Sequence, residues 1–381
     1  MEFKFQTKEF LAPLSQVNAV VSAKNALPIL SHVFIAIKED GNGGVFAILL
    51  ASDGEVWLQM KAPLISGDLG LKVCVNSSDL LKALKNLNDA AVTMTIDEER
   101  RIVTCDYGNG HFSMPYASTD EYPMPQLAID AATERIIPCS SALTALEKVG
   151  FAVANDELRP VMNGIHFDFF KHAMVAASSD GHKLAKYCDA IITNEQQEED
   201  VCGFTLPKKP STIAMNVLSG LTGNVKIAFT DKAVVFSNAY FKLSARLIEG
   251  RYPNYDSVIP KECNTSATIG KNDMLQALKR VLPMGSTSSE LVTMHFENNN
   301  LKIETEDFDF SKSASENVAC EYDAKKPPIT IGFKGSTMIQ LIANLDSDNV
   351  VMEMTEPSRA AVVYDTDKDR YLSIIMPMLI Q

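Results

Sequence analysis

No apolar run in this sequence reaches the length that spans a bilayer, and no basic segment leading into an apolar stretch accompanies the opening Met1-Glu2-Phe3-Lys4-Phe5. A membrane role is not expected, and a cytoplasmic protein is. Cysteine is sparse and scattered: the seven residues Cys74, Cys105, Cys139, Cys188, Cys202, Cys263 and Cys320 are odd in number and never spaced Cys-x-x-Cys. That argues against a disulfide framework and a zinc centre, and leaves the thiols as reduced packing residues. Positive charge is short too, with 35 Lys and Arg against 48 Asp and Glu. A formal charge of −13 excludes a surface that attracts nucleic acid everywhere, while still permitting one local basic face.

Catalytic signatures are equally scarce. Gly41-Asn42-Gly43-Gly44 lacks the Gly-Lys-Ser/Thr ending of a phosphate-binding loop and reads as a hairpin turn. The six histidines, His32, His111, His166, His172, His182 and His295, show no i, i+4 pair of the kind that holds a metal on a helix. Ser179-Asp180-Gly181-His182 crowds three catalytic residue types into one turn. Near neighbours in a turn do not readily reproduce a triad, which needs nucleophile and base face to face and a third group to orient them. No catalytic residue, cofactor or metal is therefore expected. A cytoplasmic hydrolase built on residues 179–182 is kept as an alternative, as is a repeat scaffold with no role on DNA.

What the chain does have is enough apolar residue to fold throughout: 46% hydrophobic and 22% charged are values of an ordinary globular protein. At 381 residues it is too long for one core, so two or three domains are expected. An internal repeat selects three. Leu11, Leu14 and Val17 recur as Leu143, Leu146 and Val149 and again as Leu275, Leu278 and Val281, each interval being 132 residues. This spacing lays the three side chains along one helical stripe, and a short alternating stretch precedes each (Phe3-Lys4-Phe5, Arg135-Ile136-Ile137, Ala267-Thr268-Ile269).

A second helix is expected in each third, over residues 79–87, 211–221 and 336–345, opened by Ser or Asp as N-cap. Alternating strands should follow at residues 92–96, 225–229 and 350–354, with further strand-like runs between the helices at 32–37, 164–169 and 291–303. Two helices and several antiparallel strands per copy make an α+β fold. Domains are expected over 1–130, 131–263 and 264–381, with the acidic residues 195–200 forming an exposed loop inside the second copy.

Five segments spread over the three copies resemble the bacterial sliding clamp, the β subunit of DNA polymerase III. They are Lys24-Asn25-Ala26-Leu27-Pro28-Ile29-Leu30, Arg159-Pro160-Val161-Met162-Asn163-Gly164-Ile165, Ser179-Asp180-Gly181-His182-Lys183-Leu184-Ala185, Glu249-Gly250-Arg251-Tyr252-Pro253-Asn254-Tyr255 and Met376-Pro377-Met378. The resemblance implies three clamp domains per chain. It further implies a head-to-tail homodimer closed as a six-domain ring around double-stranded DNA, held without regard to sequence, with helices lining the hole. Such a ring tethers the replicative polymerase and recruits the clamp loader and repair polymerases through short peptides.

The same resemblance assigns Lys24 and Lys209 to DNA. The helical wheel adds Lys82 and Lys85, which lie near 200° and 140° from Leu80, while Leu84 and Leu87 stay within about 40° of it. Arg280 falls on the side away from Leu275, Leu278 and Val281, and Lys208 stands beside Lys209 at the approach to its helix. The peptide pocket implied by the family maps to Met162, Ser179, Gly181, His182, Lys183, Leu184, Pro253, Val258, Ile374, Met376, Pro377 and Met378. Met side chains adapt to several apolar partners, and Gly181 admits a close backbone. Ring closure maps to Phe112 and Met114 on one side and to Leu282 through Met284 on the other. Pro160-Val161 stands where some family members carry an aromatic pair, and Leu379-Ile380-Gln381 departs from the usual Arg-Leu ending.

Overall fold

The structure is a computed structural model and describes residues 1–22, 27–41, 43–127, 129, 132–190, 202–322 and 326–380. Its first copy runs β1 (Glu2–Gln6), α1 (Thr7–Asn18), β2 (His32–Glu39), β3 (Val45–Ser52), β4 (Val56–Pro63), β5 (Ser66–Gly67), β6 (Lys72–Asn76), α2 (Ser77–Lys85), β7 (Ala91–Asp97), β8 (Ile102–Tyr107) and β9 (Gly110–Ala117). The second runs β10 (Thr133–Pro138), α3 (Cys139–Gly150), β11 (Gly164–Phe169), β12 (Ala173–Ser179), β13 (Lys183–Ala190), β14 (Cys202–Pro207), α4 (Lys208–Leu218), β15 (Asn224–Phe229), β16 (Ala233–Ser237) and β17 (Phe241–Arg246). The third runs β18 (Thr265–Gly270), α5 (Lys271–Val281), β19 (Leu291–Glu297), β20 (Asn300–Asp307), β21 (Lys312–Tyr322), β22 (Ile329–Lys334), α6 (Gly335–Ala343), β23 (Asn349–Met354), β24 (Ala361–Tyr364) and β25 (Tyr371–Ile375). Strand, helix, strands, helix, strands recurs three times, as the repeat implies.

The helical stripe is present with one shift. Leu14, Val17, Leu146, Val149, Leu278 and Val281 are buried, but Leu11, Leu143 and Leu275 are only half-buried in every copy. The fully buried position is the residue before each of them, Phe10, Ala142 and Met274. Spacing of four and then three follows the 3.6-residue turn more closely than two steps of three, so the core face centres there.

The expected N-caps are corrected. α2 is capped by Asn76, whose side chain accepts from the Asp79 amide at 3.0 Å, while Ser77 lies inside the helix and donates to Asn18 Oδ1 at 2.8 Å. α4 starts at Lys208, ahead of Ser211, because Pro210 sits in the first turn, where a missing N–H costs nothing. α6 has no side-chain cap, and Ser336 instead donates to Glu290 at 2.6 Å. The run at 291–303 is two strands, folded at Asn298 and Asn299, whose φ values of 50° and 60° suit a two-residue hairpin turn. The Gly-rich segment is a turn as read: the Asp40 amide donates to the Gly44 carbonyl at 2.8 Å and Asp40 Oδ1 accepts from the Gly44 amide at 2.7 Å. The acidic residues 195–200 lie outside the described residues.

The chain forms two compact units. Met1–Leu143 with Lys209–Leu247 carries a thirteen-stranded antiparallel sheet ordered β10-β15-β16-β17-β4-β3-β2-β6-β9-β8-β7-β1-β5. Thr144–Lys208 with Ile248–Gln381 carries a twelve-stranded one ordered β14-β11-β12-β13-β25-β24-β23-β18-β21-β20-β19-β22. The middle copy contributes to both, and each unit contains one junction between copies. In the first, β17 pairs with β4 (Leu243 opposite Leu58), and in the second, β25 pairs with β13 (Ile374 opposite Leu184). The rule is the same both times: the last strand of one copy adds to the hairpin strand of the copy before it. The two strands in the corresponding places, β21 and β9, have only a partial second neighbour among the described residues. β21 pairs on its other side only from Cys320 onward, and β9 only at Tyr116 and Ala117.

Candidate functional site

The turn between β12 and β13 is clamped by its own polar groups. Asp180 Oδ1 accepts from the His182 and Lys183 amides, both at 2.8 Å, and Oδ2 accepts from Lys183 Nζ at 2.6 Å. Burial pushes the Asp180 carboxyl up, but these bonds outweigh it and hold it below its ordinary value. Gly181 has φ +90°, the left-handed conformation that favours glycine, and a Cβ there would stand 3.2 Å from Arg159 Nη1. Ser179 Oγ donates to the Lys183 carbonyl at 2.8 Å. No hydrogen bond joins it to the exposed His182 ring, so the hydrolase alternative has neither an activated nucleophile nor a base in place.

Arg-Pro-Val-Met-Asn-Gly shapes the neighbouring loop. Asn163 accepts from the Asp156 amide and donates to the Asp156 carbonyl, both at 2.8 Å, and Gly164 lets β11 approach β14 so closely that a Cβ would meet the Leu206 carbonyl at 2.5 Å. Met162 is buried beneath this turn, and Arg159 reaches from Asp156 (2.8 Å) toward the Asp180 carbonyl. Sequence reading quoted Arg159 without giving it a role; its packing over Gly181 is visible only in three dimensions.

From the other side comes the third copy. β25 lies antiparallel to β13, and the Met376 amide donates to the His182 carbonyl at 2.8 Å. Leu184 and Ile374 are buried together with Val362 and Leu372, and Tyr255, Ile259 and Tyr364 pack against them half-buried. Pro253 and Val258 belong to the exposed segment after β17. That segment is held to β11 by the stacking of Tyr252 on His166 (4.7 Å between centroids) and by a 2.7 Å hydrogen bond from Tyr255 to Asp168. The structure thus gathers Ser179, Gly181, His182, Lys183, Leu184, Ile374 and Met376 at one junction. Pro377 is half-buried, and Met378 turns away to β22, its amide donating to the Gly332 carbonyl at 2.8 Å.

The helices are positive in an acidic chain. Together the six α-helices of the described residues carry nine Lys or Arg and four Asp or Glu. Lys82 and Lys85 are exposed on α2, as the wheel requires, and make no ion pair among the described residues. Lys208 opens α4. Lys209 donates to Asp53 at 2.5 Å and to the Val20 carbonyl at 2.8 Å, and Arg280 makes a bidentate pair with Glu316. Lys24 lies outside the described residues. On the closure side, Phe112 and Met114 are half-buried on β9 and Met284 is exposed in the turn after α5.

Models of the DNA polymerase III beta subunit match almost the whole chain: the N-terminal domain at residues 1–127, the central domain at 137–254 and the C-terminal domain at 256–379. The chain is similar to the beta sliding clamp of Treponema pallidum, 26% identical over 99% of both chains, and to that of Pseudomonas putida, 23% identical over 99% of this chain and 100% of the relative. Among solved structures it is similar to a Pseudomonas aeruginosa sliding clamp bound to griselimycin (TM-score 0.91, 21% identity, all of both chains). It is also similar to the Thermotoga maritima DNA polymerase III beta subunit (TM-score 0.89, 20% identity, all of both chains).

Proposed function

The chain belongs to the DNA polymerase III beta subunit family, the beta sliding clamps, and is a non-catalytic processivity factor of DNA replication; we propose that two copies close head to tail around duplex DNA. The observation that carries this reading is the junction rule. The last strand of one copy adds to the hairpin strand of the previous one at both internal junctions, and the same step taken once more joins β9 of one chain to β21 of another. An open strand edge is a template for such pairing. A heterologous contact of this kind generates a ring when its rotation closes.

In this reading Phe112 and Met114 enter the contact from β9, and Leu282 and Met284 flank β21. The domains are 1–130, 131–263 and 264–381. The positive helices face the DNA, with Lys82, Lys85 and Lys208 the cations that meet phosphate, joined by Lys24. Holding DNA by encirclement needs little affinity, which suits a chain whose helical charge is modest.

The junction of Ser179–Leu184 with Ile374–Met376 supports a peptide pocket completed by Met162, Pro253, Val258, Pro377 and Met378. There the replicative polymerase, the clamp loader and repair polymerases would each insert a short apolar peptide. A clamp of this kind works in the cytoplasm, at the chromosome. The test is retention: chains loaded on nicked circular DNA should co-elute with it in gel filtration and be released when one restriction cut makes it linear. Equal retention before and after the cut overturns encirclement. Sedimentation as a single chain overturns the pair.

A further inference from the structure

The three copies can be superposed residue by residue through their sheets. Cys74, Thr205 and Gly332, each two residues before the end of the strand that feeds α2, α4 or α6, lie opposite Phe34, His166 and Thr293. Those in turn lie opposite Leu50, Ala177 and Glu304, so Ser52, Ser179 and Glu306, two residues further on, hold one place. The same is true of the residues paired with them across the hairpin, Trp57, Leu184 and Ser313. At the two internal junctions Trp57 faces Ser244 and Leu184 faces Ile374, each the fourth residue of the last strand of the next copy. The fourth residue of β9 is Ser113.

Two features set the strands of the remaining junction apart. Two residues beyond Ser244 and Ile374, the Arg246 amide donates to the Glu55 carbonyl at 3.0 Å and the Met376 amide to the His182 carbonyl at 2.8 Å, which ties the rim of each internal junction. The residue in that place on β9 is Pro115, which has no N–H to give. The third hairpin is also longer: four residues separate Ser52 from Trp57 and Ser179 from Leu184, but six separate Glu306 from Ser313. Its tip holds Phe308 and Phe310 in solvent, 72% and 71% exposed, where neither sister turn has a Phe, Tyr or Trp.

We propose that Phe308 and Phe310 form an apolar clasp on the first copy of a second chain, at the point where Pro115 ends the strand pairing. The clasp presupposes the head-to-tail pair proposed above and fixes its register: Ser313 opposite Ser113 of the second chain, Ala314 opposite Phe112 and Lys312 opposite Met114. Ser311 then faces Pro115, and the tip overruns it toward Tyr116. Proline on an edge strand limits pairing, and two exposed rings supply non-directional attraction where the last backbone bond is missing. A second copy is the occupant because the tip continues directly into the β21 edge, so tip and edge meet the same molecule. The internal junctions are bridged by the chain itself, whereas this one is not. It is the place where a ring can open to admit DNA, and a rim with one backbone bond fewer suits that.

Sedimentation velocity of the full chain over a dilution series reads the pairing. Phe308→Ser with Phe310→Ser should weaken each junction about tenfold and the closed pair about a hundredfold, since a ring of two chains contains two such junctions. Pro115→Ala, which returns the amide, should tighten each junction about threefold. Ser113→Cys with Ser313→Cys should give a disulfide-linked pair on oxidation. Ser113→Cys with Ser315→Cys should not, because a shift of two residues parts the Cα atoms by about 7 Å or more. Circular dichroism melting checks that each variant folds. A wild-type chain that sediments singly at every concentration overturns the pair and the clasp together. Undiminished pairing after Phe308→Ser with Phe310→Ser overturns the clasp alone, as does a Pro115→Ala chain that pairs no more tightly for the missing bond. Cross-linking of the Ser315→Cys combination in preference to the Ser313→Cys one overturns the register.

Discussion

Lys148 on α3, only 9% exposed, places its ammonium 2.6 Å from Asp346 Oδ1 and 2.5 Å from the Asn344 carbonyl, just beyond α6. It also stands 5.1 Å above the Tyr371 ring. A cation from the second copy is thereby satisfied entirely by the third, at the end of a helix where carbonyls lack partners. Lys148→Ala removes the cation and its aliphatic stem together and should lower stability by about 2 kcal/mol, more than an exposed ion pair is worth. Urea unfolding of the variant against wild type measures it, and an unchanged midpoint would show that the contact is passive.

Lys209 and Asp53 give a pH dependence. Burial pushes the Asp53 carboxyl up from its ordinary value of 3.8, but bonds from Lys209 and from the Glu55 and Val56 amides outweigh it and lower it. A depressed folded value means that the stabilisation is fully present above 3.8 and drains away as pH falls through the lower folded value. Lys209→Met should therefore cost about 1 kcal/mol at neutral pH and progressively less in acid, as Asp53 protonates in wild type too. Thermal unfolding of both chains over a pH series tests this; a gap that widens in acid would contradict the sign.

Gly181→Ala separates backbone strain from side-chain crowding. The left-handed φ should cost about 1 to 2 kcal/mol, whereas the 3.2 Å approach to Arg159 can relax, since a guanidinium tip moves easily. Adding Arg159→Ala should therefore not restore the lost stability or the affinity for a partner peptide. Recovery in the double variant, by calorimetry, would make the clash the dominant effect.

Charges on the helices divide into available and committed. Lys82→Gln with Lys85→Gln should flatten the salt dependence of the affinity for a short linear duplex by about two units of slope, one per lost phosphate contact. Arg280→Gln should leave that slope nearly unchanged, because Glu316 already neutralises the guanidinium. Anisotropy of a labelled short linear duplex over a range of salt distinguishes them, and an equal effect of Arg280→Gln would show that DNA displaces Glu316.

The sequence by itself determined the number of copies, their order of elements and their α+β character. Apolar spacing is local, and a 132-residue recurrence such as Leu14, Leu146 and Leu278 survives without knowledge of neighbours. It also carried the turn at Ser179–Leu184, since glycine, aspartate and serine act there on their own backbone. Tertiary structure alone decided which charges are free. Lys209 and Lys82 look alike along the chain, but Asp53 lies 156 residues from Lys209 and meets it only when the first and second copies pack. Likewise, only the sheets show that β25 adds to β13 and β17 to β4 while β9 and β21 keep open edges, because strand pairing depends on hydrogen bonds between segments that no periodicity connects.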